Sequence, residues 1–143
     1  MSHDLEFDRA YDAETHLWVA FEGNRARVGF DPLGRETSGD IVAMSFLPVG
    51  AEVTRAAEFG TLEAAKFVGP LKAPVTGRMV GHNDELLTDP GKVADAPFEH
   101  WLVEIEVDDV ESARAELLTD ADEIRAWYDR EDQRFRDQGM IAE

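Results

Sequence analysis

Lysine is scarce in this chain: three lysines stand beside eleven arginines. One of them, Lys66, occupies a place where only a lysine could do chemistry. It lies in Thr61-Leu62-Glu63-Ala64-Ala65-Lys66-Phe67-Val68-Gly69-Pro70-Leu71, between two short apolar segments, with Gly60 before it and Gly69-Pro70 after. Apolar runs punctuated in this way read as a hairpin that presents one primary amine to solvent. Arginine would serve for an ion pair, but a guanidinium is not acylated to a simple amide. An ε-amine is, and its flexible four-carbon stem suits it as the root of a swinging prosthetic group. The competing reading is an ordinary solvated turn lysine, and for an isolated lysine it prevails. The surroundings have to change the odds.

Other chemistry is thinly represented. The histidines His3, His16, His82 and His100 show no spacing suited to a metal, such as an i, i+4 pair with a carboxylate partner. His16 reads as a packed or hydrogen-bonded structural residue beside Trp18. No Ser/His/Asp nucleophile motif and no phosphate-cradling glycine loop is present. Asp108, Asp109 and Glu111 read as charges at a helix start, complementing its dipole. The chain has no cysteine, which excludes disulfides, thiol nucleophiles and thiolate metal sites. A dithiol cofactor, if carried, would meet no protein thiol with which to exchange.

The elements that must position Lys66 are short strands. Leu17–Phe21 and Arg25–Phe30 flank Gly23-Asn24, a two-residue hairpin signal. Asp31-Pro32 reads as an N-cap followed by proline at the first helical position, opening a short helix to about Thr37. Strands are expected at Ile41–Leu47, Glu58–Glu63, Lys66–Lys72, Gly77–His82 and Trp101–Val107, with turns at Pro48-Val49-Gly50, Pro74, Gly81 and Asn83. Many short strands with close turns argue for a small sandwich or barrel rather than βαβ units. After Val107 the pattern becomes helical: Asp109–Leu117, then a second helix opened by a capping box of Thr119 and Asp122. In that helix Ile124, Trp127, Tyr128 and Phe135 share one face. They read as a packed face first, and as a partner-docking face second.

Composition bounds the partners. A chain of 143 residues makes one domain. Its net charge of -17 repels phosphate backbones and anionic headgroups, so neither nucleic acid nor membrane is an expected partner. Attraction to basic protein surfaces and adaptation to a salty cytoplasm both fit that acidity. Met1 to Asp12 is polar, and no apolar run approaches bilayer length, so a cytoplasmic location and no membrane insertion are expected.

From about Tyr11 to Leu118 the chain resembles the H protein of the glycine cleavage system. Tyr11, Thr15-His16 and Trp18 match that family's opening. Gly29, Gly39-Asp40-Ile41-Val42, Leu47-Pro48-Val49-Gly50 and Glu58-Phe59-Gly60 follow at its spacing. Glu63-Ala64-Ala65-Lys66 stands where the family has Glu-Ser-Val-Lys with lipoate on the lysine. Leu71, Ala73-Pro74-Val75-Thr76-Gly77, Asn83, Pro97, Trp101-Leu102-Val103 and Ile105 keep the register. The resemblance implies a mainly β fold with C-terminal helices, a barrel-sandwich hybrid of the biotinyl/lipoyl-carrier kind. It divides the chain into a tail (1–10), a carrier domain (11–118) and a helical extension (119–143). It implies lipoic acid in amide linkage to Lys66, and a lipoate ligase or lipoyl transferase as a partner. Glu63 is then either a recognition point for that enzyme or a solvated strand-end carboxylate. The protein is expected to be a carrier, not an enzyme, because tethering concentrates the cofactor at each partner while the cofactor does the chemistry.

Departures cluster around the arm. The family's His-Glu pair before the tryptophan is His16-Leu17 here, and that glutamate helps to cage the amine-bearing arm. Its Ile-Thr-Asp-X-Ala-Gln stretch is replaced by Phe30-Asp31-Pro32-Leu33-Gly34-Arg35. An aspartate commonly found four residues past the lysine is Pro70, and Pro97-Phe98-Glu99-His100-Trp101 is one residue short. A cationic arm gains from nearby carboxylates, and Leu17 and Pro70 supply none. His100 is a minor candidate to face the arm. These departures resemble the lipoate-binding proteins of sulfur oxidisers. That resemblance leads to the expectation of sulfur as cargo, with a heterodisulfide-reductase-like complex and a dihydrolipoamide dehydrogenase as partners. A glycine cleavage H protein is the alternative, and an unlipoylated binding or regulatory module is the second.

Overall fold

In the computed structural model, which describes residues 5–94 and 96–139, the chain opens on a three-stranded meander: Ala10–Tyr11 (β1), Leu17–Glu22 (β2) and Arg25–Phe30 (β3). Residues 1–4 of the expected tail, with His3, and residues 140–143 of the expected extension lie outside the described residues. Gly23-Asn24 closes the β2–β3 turn, with Gly23 at φ 61°. Trp18 faces Gly29 across that pair, and a Cβ on Gly29 would stand 2.3 Å from the indole. Only glycine lets the ring lie flat over β3.

Asp31 ends β3 and caps Pro32–Ser38 (α1), accepting the Gly34 N–H at 2.7 Å, with Pro32 in the first turn. The chain continues through Ile41–Phe46 (β4), Glu52–Val53 (β5), Glu58–Ala64 (β6), Val68–Lys72 (β7) and Gly77–His82 (β8). Asp84–Thr88 (α2), a 3-10 turn at Pro90–Ala94, Val103–Val107 (β9), Val110–Ala115 (α3) and Ala121–Asp137 (α4) complete it. The order β1-β2-β3-β9-β8-β5 makes one sheet and β4-β6-β7 the other, every pair antiparallel. Inner residues of both sheets, among them Val28, Met79 and Ile105 from one and Phe59, Leu62 and Leu71 from the other, share one core. This is the mainly β, barrel-sandwich fold with C-terminal helices.

Strand alternation explains the burial. In β9, Val103, Ile105 and Val107 point inward. Glu104 and Glu106 point out and pair with Arg25, Arg27 and Arg78 on the neighbouring strands at 3.0–3.1 Å. A second cluster sits outside the six-stranded sheet. There Ile124, Trp127, Tyr128 and Phe135 of α4 pack on Tyr11, Trp18 and Leu33.

Several boundaries differ from expectation. The strand expected from Lys66 starts at Val68, because Ala64 N–H donates to the Phe67 carbonyl at 2.8 Å and leaves Lys66 in the turn. The strand expected from Trp101 starts at Val103, since the Trp101 carbonyl is taken by the Asn83 side chain at 2.9 Å. The expected helix over Asp109–Leu117 is Val110–Ala115, with Asp109 outside it as the cap, accepting the Ser112 N–H at 3.1 Å. The last helix is capped by Asp120, which accepts the Glu123 N–H at 3.0 Å, rather than by Thr119 with Asp122. Aspartate one residue on offers the same acceptor with full charge at the dipole. The elements α2, β1, β5 and the 3-10 turn are too short to show a period. Among the described residues, no helix is long and apolar enough to cross a membrane.

Candidate functional site

The β6–β7 hairpin ends in Ala65-Lys66-Phe67, all exposed. The turn is braced twice: by the Ala64–Phe67 bond and by Ala65 N–H donating to the Asp40 carbonyl at 2.9 Å. Lys66 makes no ion pair or side-chain hydrogen bond with any described residue. Its stem lies against Gly39, where a Cβ would come within 3.1 Å of Lys66 Cγ. Gly39 also has φ 76° and ψ -160°, a conformation open in practice to glycine alone. Gly39→Ala is therefore expected to cost about 1–3 kcal/mol and to displace the Lys66 stem. Thermal unfolding and the rate of acylation at Lys66 would register the two effects separately.

The other two amines are placed differently. Lys92 pairs with Glu85, and Lys72 ends β7 away from the turn. Glu63 is exposed on β6, opposite Val68 on one side and Ala43 on the other. Of the remaining candidates, His82 binds Asp84 at 2.8 Å and His100 lies near Glu85. Neither lines the groove described next.

Beside the hairpin runs a groove of about 440 Å³. Phe67, Pro70, Leu71 and Lys72 form one wall, Leu17, Phe30 and Leu62 the floor, and Phe135 of α4 a further side. The two departures Leu17 and Pro70, far apart in the chain, thus meet in one place. The groove nevertheless keeps polar groups: Glu14, Thr15 and Thr37 also line it. Leu17 and Pro70 supply no carboxylate, but Glu14, which the sequence pattern does not single out, does. Glu14 lies just before His16, whose φ of 59° marks a left-handed turn there.

His16 is the polar anchor of this wall. Its Nδ1 lies 2.7 Å from Asp31 Oδ2 and its Nε2 lies 3.0 Å from Glu131 Oε1 on α4, with the ring stacked on Trp127 at 4.7 Å. Burial alone pushes the imidazole pKa down. The charge of Asp31 and the hydrogen bonds to both carboxylates outweigh that and hold it above the ordinary histidine value. Glu131, bonded by Arg134 and His16, is held below the ordinary glutamate value. The Tyr128 hydroxyl accepts the Leu33 N–H at 2.9 Å, and burial drives its pKa upward. The C-terminal helix is thus tied to the groove by charge and by packing.

The glycine cleavage H-protein model matches residues 9–131. The chain belongs to the glycine cleavage H-protein family. A probable glycine cleavage system H protein of Natronomonas pharaonis is 42% identical over 129 residues, covering 88% of this chain and 98% of the relative. A mitochondrial glycine cleavage system H protein 2 of Arabidopsis thaliana is 33% identical over 121 residues, covering 84% and 76%. A glycine cleavage system H protein crystal structure from Mycobacterium marinum superposes with a TM-score of 0.72 at 30% identity, covering 82% of this chain and 94% of that one. Proteins of the H-protein family are carriers rather than enzymes, with lipoate covalently attached to a lysine. The residues here fit that group: a braced turn with an unpaired amine, and an apolar groove of ligand size beside it.

Proposed function

We propose that this chain is the lipoyl carrier of a glycine cleavage system, with Lys66 as the attachment lysine. The observation that carries the reading is the exposed Lys66, unpaired among the described residues, on a braced hairpin tip beside the groove, in a chain 42% identical to a probable glycine cleavage H protein. When bound, lipoate supplies a dithiol that accepts and returns the cargo. The chain's own residues fix the root and shelter the arm. Leu17, Phe30, Phe67 and Pro70 keep water from the groove, and Glu14 offers a carboxylate to an amine-bearing tip. The partners of this reading are a lipoate ligase or lipoyl transferase, the glycine cleavage enzymes and a dihydrolipoamide dehydrogenase. Glu63, exposed near the turn, is proposed as a recognition point for the attaching enzyme.

The sulfur-carrying reading, with a heterodisulfide-reductase-like complex, draws no support from the relatives, which are glycine cleavage H proteins. One observation favours it as a second reading: Leu17 and Pro70 converge on the groove and leave its inner part apolar. Loading separates the two. Lipoylated protein, glycine and the glycine decarboxylase P protein are expected to give an aminomethyl-loaded carrier, seen as a mass gain with release of carbon dioxide. Lipoylated protein that takes no aminomethyl group would overturn the glycine reading. Protein from its native host with no lipoyl mass would leave only the unlipoylated module.

A further inference from the structure

Two of the three lysines have a place: Lys66 at the hairpin tip, and Lys92 in an ion pair with Glu85. Lys72, at the end of β7, lines the groove. It is exposed, and among the described residues it makes no ion pair or side-chain hydrogen bond, although Glu58 stands opposite it on β6. Lys66 and Lys72 thus mark the two ends of one wall. From Val68 to Lys72 the strand runs about 13 Å, and a lysine stem extended by lipoate is about as long. An arm rooted at Lys66 and laid along Phe67, Pro70 and Leu71 brings its sulfurs to the Lys72 end. The other titratable groups lining the groove are Glu14 and His16. Both ring nitrogens of His16 are engaged, by Asp31 and by Glu131 of α4. Glu14 has no ion pair among the described residues. The groove therefore offers an arriving group one unpaired ammonium and one unpaired carboxylate.

A reduced lipoyl arm ends in thiols, and a thiol reacts as its anion. A cation beside the sulfur favours loss of the proton, and a carboxylate opposes it. We propose that Lys72 holds one thiol of the reduced arm as a thiolate while the arm lies in the groove, the proton passing to solvent. The ammonium offsets Glu14, which alone would keep the sulfur protonated. Glu58, exposed on the neighbouring strand, is screened by solvent and is not bonded to the ammonium. The role rests on Lys66 being the lipoyl lysine, and it applies to either cargo.

The test uses the lipoylated chain, reduced with a phosphine and titrated with base by the ultraviolet absorbance of its thiolate. K72Q is expected to hold about threefold less thiolate than the wild type at neutral pH, the worth of an exposed ion pair. K72R is expected to match the wild type, and high salt to erase the difference between wild type and K72Q. Iodoacetamide, from which the thiolate displaces iodide, is expected to label K72Q more slowly by intact mass. K92Q, which removes an amine away from the groove, is expected to titrate like the wild type. Equal thiolate in the wild type and K72Q would overturn the role of Lys72. So would the same loss in K92Q, which marks net charge rather than position. Wild-type protein that gains no lipoyl mass would instead sink the Lys66 assignment itself, so the two failures are distinguishable.

Discussion

Lys66→Arg is expected to abolish lipoylation and carrier function completely while leaving the fold untouched. The arginine keeps the positive charge and a long stem, and position 66 is exposed with no partner to lose among the described residues. Unfolding stability should therefore change by no more than about 0.5 kcal/mol. What is lost is the acylable nitrogen, because a delocalised guanidinium stays protonated at neutral pH and is a poor nucleophile. Intact mass after incubation with ligase, ATP and lipoate should show no lipoyl addition, and loading with glycine and P protein should fall to background. Lys72→Arg and Lys92→Arg are the controls, expected to be modified like the wild type. Lipoyl mass on the Lys66→Arg protein would move the arm to Lys72 or Lys92 and refute the assignment.

The hairpin that carries Lys66 could be read from the chain because its signals are local. Glycine and proline punctuate it, and apolar residues alternate within reach of one another. The same holds for the Gly23-Asn24 turn, the Asp31-Pro32 cap and the apolar face of α4, each built from residues a few positions apart. The groove was legible only in part. Leu17 and Pro70 stood out as departures from a family pattern, but their meeting point depends on how two sheets pack. Glu14 lines the groove beside a left-handed His16, and its nearness to Leu62 and Pro70 on the other sheet has no local signal. The bond between His16 and Glu131 spans 115 positions. Local rules find elements, while a site made by packing distant elements has no local signature.

His16→Ala is expected to be the most destabilising single change at the groove. The imidazole stands between two carboxylates, with side-chain exposure of 5% for His16 and 0% for Asp31. Removing it leaves Asp31 buried with its charge uncompensated except for the Gly34 N–H, a loss of roughly 3–5 kcal/mol for a broken buried pair. It also cuts the Glu131 tie, so hydrogen exchange should rise along α4 before the sheets respond. His16→Gln, which keeps neutral hydrogen bonding, should lose less.

The pH dependence has a definite sign. The folded-state pKa of His16 lies above its unfolded value near 6.5, so the native state binds the proton more tightly. Its contribution is fully present below about pH 6.5 and is lost as pH rises through the folded pKa. The groups facing the ring are Asp31 from the end of β3 and Glu131 from α4, and Arg134 engages Glu131. Denaturant midpoints measured upward from pH 6 should therefore decline in the wild type, and the His16→Gln protein should lack that decline. A wild-type midpoint that climbs over this range would contradict a charged His16. Because Phe135 of the same helix walls the groove, loosening α4 at high pH should also open the groove to water.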